Sequence, residues 1–204
     1  MKLTRGIFAF YLLSFILFFA LVSGSALAKT SPKEQIKESA ERTLAILNDA
    51  SLSESAKKEL LRKTILPHLD FNEIAKRVLA LHWKANESRM GEFIPILTEF
   101  LESTYVNRMV FDLAKGASIV VTGETIDGNL ATVKSKITTA KGKEIPVDYR
   151  LYFNGSEWMI YDIAVEGMSM VSNLRSQFNT IIQKSSFGGL LQALRNKIQE
   201  LKNK

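Results

Sequence analysis

Residues 118–165 read SIVVTGETIDGNLATVKSKITTAKGKEIPVDYRLYFNGSEWMIYDIAV, and much of this stretch alternates apolar with polar side chains. A period of two belongs to strands that cover one face. Four extended segments are predicted: about Ser118 to Thr125, Asn129 to Thr139, Glu144 to Phe153 and Glu157 to Val165. Asp127-Gly128 and Asn154-Gly155 suit two-residue hairpin turns that need positive φ, and Lys141-Gly142 supplies the middle connection. Such short links make an antiparallel meander. In its third strand Ile145, Val147, Tyr149, Leu151 and Phe153 alternate with Pro146, Asp148, Arg150, Tyr152 and Asn154, giving one apolar and one polar face.

On either side of this stretch the period is helical. Ser31-Pro32 caps a helix whose Ile36, Ala40, Leu44 and Leu47 share a stripe. A second helix is predicted from about Glu54 to Ile65, ended by Pro67. Asp70 and Glu73 form a capping box for a third, with Leu69 and Ile74 as its hydrophobic staple. A fourth begins after Asn86 and carries Phe93, Leu97, Phe100, Leu101, Tyr105 and Met109 down one side, with a kink or late start expected at Pro95. Beyond Gly167, Met170, Leu174, Phe178 and Ile181 mark one helix. After Phe187-Gly188-Gly189, Leu191, Leu194, Ile198 and Leu201 mark another. The expected fold is α+β: a four-stranded antiparallel sheet with helices packed on one face, plus an N-terminal helical subdomain.

Lys2 and Arg5 precede an unbroken apolar run from Gly6 to Val22, and Ser23 to Ala28 supply small residues in an A-x-A arrangement. This is the pattern of a secretory signal cut after Ala28. The expected organisation is a signal over 1–28 and one domain over 29–204, mainly helical over 29–115, sheet over 116–166 and C-terminal helices over 167–204. The signal holds two of the 27 Lys+Arg and none of the 21 Asp+Glu, so cutting it leaves a charge of +4. Spread along the chain, that balance argues against nucleic acid as a partner and suits an anionic lipid surface. Cysteine is absent, so neither disulfides nor a lipid-modified N-terminal cysteine is available. An exported chain of this kind is expected in the bacterial periplasm.

Groups for chemistry are few. His68 and His82 lie in separate helical segments, with no H-E-x-x-H and no thiolate to complete a metal site. There is no G-x-S-x-G elbow, phosphate-binding glycine loop or dinucleotide fingerprint. Asp148 and Asp162 stand on adjacent strands as glycosidase carboxylates do, and equally as salt-bridged carboxylates beside Arg150. No catalytic group, metal or cofactor is therefore expected. A periplasmic hydrolase or isomerase on a cone-shaped α+β scaffold is the alternative, with Asp148, Asp162 and Tyr149 as its candidates. Tyr105, Met109, Tyr149, Leu151, Trp158, Ile160, Met168, Met170, Leu174 and Phe178 come from elements that face one another. They either line an apolar cavity or fill a closed core, as they would in a protein-binding adaptor.

The residue order carries more. Asp70-Phe71, Arg77, His82-Trp83, Thr104-Tyr105 and Asn107-Arg108 are followed by Ile145-Pro146-Val147-Asp148-Tyr149-Arg150, Trp158, Tyr161-Asp162, Glu166-Gly167 and Arg175-Ser176-Gln177-Phe178. This string resembles the MlaC, or toluene-tolerance, family of periplasmic lipid-binding proteins over about residues 35 to 200, with Pro95 a departure from the family's helix. The resemblance implies a soluble carrier of phospholipid between outer and inner membranes. Its implied partners are an inner-membrane ABC transporter complex and an outer-membrane lipoprotein complex, and a related branch of the family is tied to hopanoid lipids. It further implies a curved sheet and helices enclosing an apolar cavity for acyl chains. On side-chain direction the lining falls to Tyr105, Met109, Tyr149, Leu151, Trp158, Met170, Leu174 and Phe178. Arg108, Asp148, Arg150 and Arg175 sit on the family's motifs as ion pairs or headgroup contacts.

Overall fold

A computed structural model describes residues 30–105 and 116–203. The expected signal, Asn107, Arg108 and Met109 lie outside the described residues.

Helix α1 spans Pro32–Asn48, and the Ser31 hydroxyl accepts from Glu34 N at 3.1 Å, as the Ser-Pro start demands. Helix α2, Glu54–Ile65, is capped the same way by Ser53 and passes at Pro67 into a 3₁₀ turn over Leu66–His68. Asp70 caps α3, Phe71–Leu79, by accepting from Glu73 N at 2.9 Å, and both staple residues, Leu69 and Ile74, lie in the helical core. Helix α4, Met90–Leu101, runs straight on through Pro95. The carbonyl deprived of its donor there belongs to Gly91. The expected interruption lies instead in the 3₁₀ segment Lys84–Arg89 before it, where Asn86 leaves helical dihedrals.

The sheet has order β1-β2-β3-β4-β5, with all pairs antiparallel: β1 Ser118–Asp127, β2 Leu130–Thr138, β3 Glu144–Phe153, β4 Trp158–Val165 and β5 Met168–Ser169. Five strands replace the expected four. Glu166 and Gly167, both at positive φ (50° and 81°), form a tight turn that folds Met168-Ser169 back onto β4. So short a strand leaves no periodic signal, because its second residue already caps the next helix.

Two turns also shift. The first hairpin closes over Gly128-Asn129, since Asp127 pairs with Leu130. Phe153 pairs with Trp158, so Asn154 opens a four-residue loop in which its Oδ1 accepts from Ser156 N and Glu157 N, both at 2.9 Å.

Helix α5 covers Met170–Lys202 but breaks at Ser186 (φ 72°, ψ 173°) into the two predicted helices, one residue before Phe187-Gly188-Gly189. The Ser186 hydroxyl accepts from Gly189 N at 3.4 Å, so it caps the second half.

The helices meet the sheet at two places. Helix α1 lies against β1 and β2, while α3 and α5 contact β4. Ile36 of α1 is buried in the sheet's own cluster, while Leu47 of α1 and Leu61 of α2 form a small cluster of their own, so the expected N-terminal helical subdomain is only partly separate from the strands.

Candidate functional site

Two apolar clusters dominate the described interior. The sheet cluster is built on Ile36, Ala131, Val133, Leu151, Trp158 and Ile160, with Tyr149, Phe153 and Ile163 against it. The helical cluster joins α3, α4 and both halves of α5 through Ile74, Phe93, Leu97, Leu174, Phe178 and Leu190. Phe93 holds its centre, edge-on to Phe178 at 6.2 Å and tilted against Phe187 at 5.6 Å. Leu69 packs against both clusters. Its backbone bridges to Ile160, and Asp70 N donates to Ile160 O at 3.0 Å.

The predicted lining residues divide between these clusters. Tyr149, Leu151 and Trp158 belong to the sheet side, and Tyr105, Met170, Leu174 and Phe178 to the helical side. Leu151, Trp158, Leu174 and Phe178 are buried, whereas Tyr105, Tyr149 and Met170 are half-buried. Burial pushes the Tyr105 and Tyr149 phenols above their ordinary range, and a hydrogen bond with Ser135 partly offsets this for Tyr149. Both phenols therefore stay neutral in an apolar setting. Met168, counted in sequence among the facing residues, stands 71 % exposed. Sequence reading missed Leu69, which it took only for a staple residue, and Val133, whose neighbours Lys134 and Thr132 hide it in a polar strand.

Polar networks tie the clusters' elements together. Asp162, 2 % exposed, accepts from Arg150 Nη1 at 2.9 Å, Ser169 Oγ at 2.6 Å and Val171 N at 3.0 Å. Both its oxygens are engaged in fastening the start of α5 to β3 and β4. Asp148 pairs with Ala164 in the ladder, not with Asp162, which stands opposite Arg150. The register break between Arg150 and Leu151, where β4 carries one extra residue, is what brings Asp162 opposite Arg150.

On α3, Asp70 accepts from the Tyr152 hydroxyl, and that bond with burial pushes the Tyr152 phenol up to about 12. Arg77 stacks 3.8 Å over the Tyr161 ring and lies 2.8 Å from Glu73. Among the described residues no group of three or more His, Cys, Asp or Glu is placed to hold a metal.

Two clefts indent the described surface. One, of about 420 Å³, lies between α1 and β1, walled by Lys33, Lys37, Glu41, Leu44 and Val121. The other, of about 300 Å³, lies between the end of α3 and the outer face of α5, where His82 Nε2 and Asn179 Oδ1 are 2.8 Å apart. Neither is lined by any of the seven predicted ligand-holding residues that lie within the described structure.

The model of the MlaC protein family matches residues 37–196. This chain belongs to the MlaC family. The match takes in most of α1, the whole sheet and nearly all of α5, and so spans both clusters apart from Ile36. The MlaC-family chain is 23 % identical over 193 residues to the intermembrane phospholipid transport system binding protein MlaC of Haemophilus influenzae, covering 89 % of each. It is 26 % identical over 129 residues to the toluene tolerance protein ttg2D of Pseudomonas putida, covering 62 % of this chain and 60 % of that one. Its fold superposes on the phospholipid-binding protein of Ralstonia solanacearum, solved in complex with a phospholipid. The TM-score is 0.74 at 19 % identity, over 86 % of this chain and 99 % of the other.

Proposed function

We propose that this chain is a periplasmic phospholipid carrier that takes acyl chains along the seam between the sheet cluster and the helical cluster. The supporting observation is that residues picked for an acyl cavity fall on both clusters of an MlaC-family fold, and the clusters meet at Leu69. Relatives described as phospholipid-transport and phospholipid-binding proteins favour the same cargo.

Some thirty methylenes in two chains, at about 0.8 kcal/mol each, give on the order of 25 kcal/mol of transfer free energy from water. A bilayer offers about the same. The seam must therefore imitate a membrane interior closely enough for loading and unloading to be nearly balanced, which leaves direction to partners. Those partners are an inner-membrane ABC transporter complex and an outer-membrane lipoprotein complex, reached after export by the signal over 1–28. In this reading Tyr105, Met109, Tyr149, Leu151, Trp158, Met170, Leu174 and Phe178 contact the tails, and no residue performs covalent chemistry. Asp162, the best enzymatic candidate, is bound into the fold on both oxygens, which favours a structural task for it.

Half-buried seam residues give the cleanest test, because they are the least needed for folding. Tyr149→Glu or Met170→Glu is expected to deplete co-purifying lipid, read by mass spectrometry of solvent extracts, while circular dichroism stays unchanged. Undiminished lipid in both folded variants would remove the seam as the site.

A further inference from the structure

Leu81 and Met168 are the two most exposed large apolar side chains among the described residues, at 77 % and 71 %. Leu81 borders a cleft on α5, and Met168 lies two residues before α5 begins. The cleft beside α3 brings Ala80 and Leu81 against Ser172, Arg175 and Ser176 of α5, and Met168 lies four residues before Ser172. Leu81 is held out by an unusual backbone: Ala80, which ends α3, has φ 47° and ψ −112°, a conformation that disfavours any Cβ.

Cations predominate on the segments around Leu81 and Met168, although Arg77 is paired with Glu73 and the exposed Glu166, paired with Lys143, stands two residues before Met168. Segments 76–84 and 168–179 contain Lys76, Arg77, Lys84 and Arg175 and no carboxylate. Arg175 is anchored by its Nε to Arg77 O at 2.8 Å, which keeps its guanidinium beside the cleft.

From these observations we propose that Leu81 and Met168 mark a peripheral docking surface for an anionic phospholipid bilayer. Leu81 and Met168 would enter the interface while Lys76, Lys84 and Arg175 meet lipid phosphates. Protruding apolar side chains beside Lys76, Lys84 and Arg175 match a membrane surface better than a protein groove, where apolar anchors are received in a pocket. The inference deepens the carrier reading and rests on it for the reason to meet a bilayer.

Flotation with vesicles tests it, using the protein without residues 1–28. Binding is expected to vesicles of equal parts phosphatidylcholine and phosphatidylglycerol and not to phosphatidylcholine alone, weakening as salt is raised. Leu81→Ser and Met168→Ser should each weaken binding about tenfold, and Lys84→Gln about fivefold. Ile126→Ser, an exposed site on β1, should change nothing. Equal binding to both vesicle types, no binding to either, or a Leu81→Ser, Met168→Ser double variant that binds like the parent would overturn the proposal. Capture by a purified protein partner that these substitutions abolish, with no vesicle binding, would reassign the surface to that partner. Lipid extraction from the same preparation separates the two readings: protein that holds lipid but ignores vesicles sinks only the docking surface, and protein that floats without holding lipid sinks only the carrier.

Discussion

Asp162 gathers a guanidinium, a hydroxyl and a backbone N–H around one buried carboxylate, and losing it would strand all three. Asp162→Ala is expected to cost about 3 kcal/mol, read as a lower urea midpoint with an unchanged slope. Ala80 works in the opposite sense. At φ 47° a glycine has no Cβ to strain, so Ala80→Gly should raise stability by about 1 kcal/mol in the same assay. Tyr152 offers a pH signature. Its folded value of about 12 lies above the ordinary value of 10.0, so the protonated form is favoured by the fold. The stability it contributes is complete below about pH 10 and is lost as pH rises towards 12. Phenolate absorbance should show a late-titrating component, beyond those of Tyr105 and Tyr149, that moves towards the ordinary range in Asp70→Asn and disappears in Tyr152→Phe. At this scale the sequence was legible where a contact is local. Asp70 as a helix cap could be read three residues away, but its bond to Tyr152, 82 positions along the chain, could not.

Among the elements, the break in α5 separates two neighbouring glycines by sign. A Cβ at Gly188 meets only ordinary contacts, at 3.7 Å and beyond, so Gly188→Ala should stabilise by roughly 0.5–1 kcal/mol through helix propensity. A Cβ at Gly189 would sit 2.6 Å from the Ser185 Cβ, so Gly189→Ala should destabilise by about 1–3 kcal/mol. Paired thermal melts check both directions. Periodicity exposed these helices because their stripes repeat over several turns, as Met170, Leu174 and Phe178 do. It also gave the two faces of β3, where five alternations agree. It failed at β5, whose two residues repeat nothing, and at the loop after Phe153, where Asn154 turns its side chain onto the backbone instead of closing a two-residue hairpin.

For the molecule as a whole, the candidate site was legible as composition and not as geometry. Each of the seven predicted lining residues within the described structure sits in or against an apolar cluster, yet nothing in their spacing revealed that Leu151 and Leu174 belong to different clusters. That division follows from Leu69 and Asp70 crossing from α3 to β4, a long-range bridge with no local pattern. The central claim is that acyl chains occupy the seam between the clusters. The most direct measurement is native mass spectrometry of the protein without residues 1–28, gently purified from a bacterial periplasm, followed by solvent extraction of its ligand. The account predicts one phospholipid per chain, released on denaturation and depleted in Tyr149→Glu. A chain mass free of lipid in every preparation, from protein that is folded by circular dichroism, would contradict it.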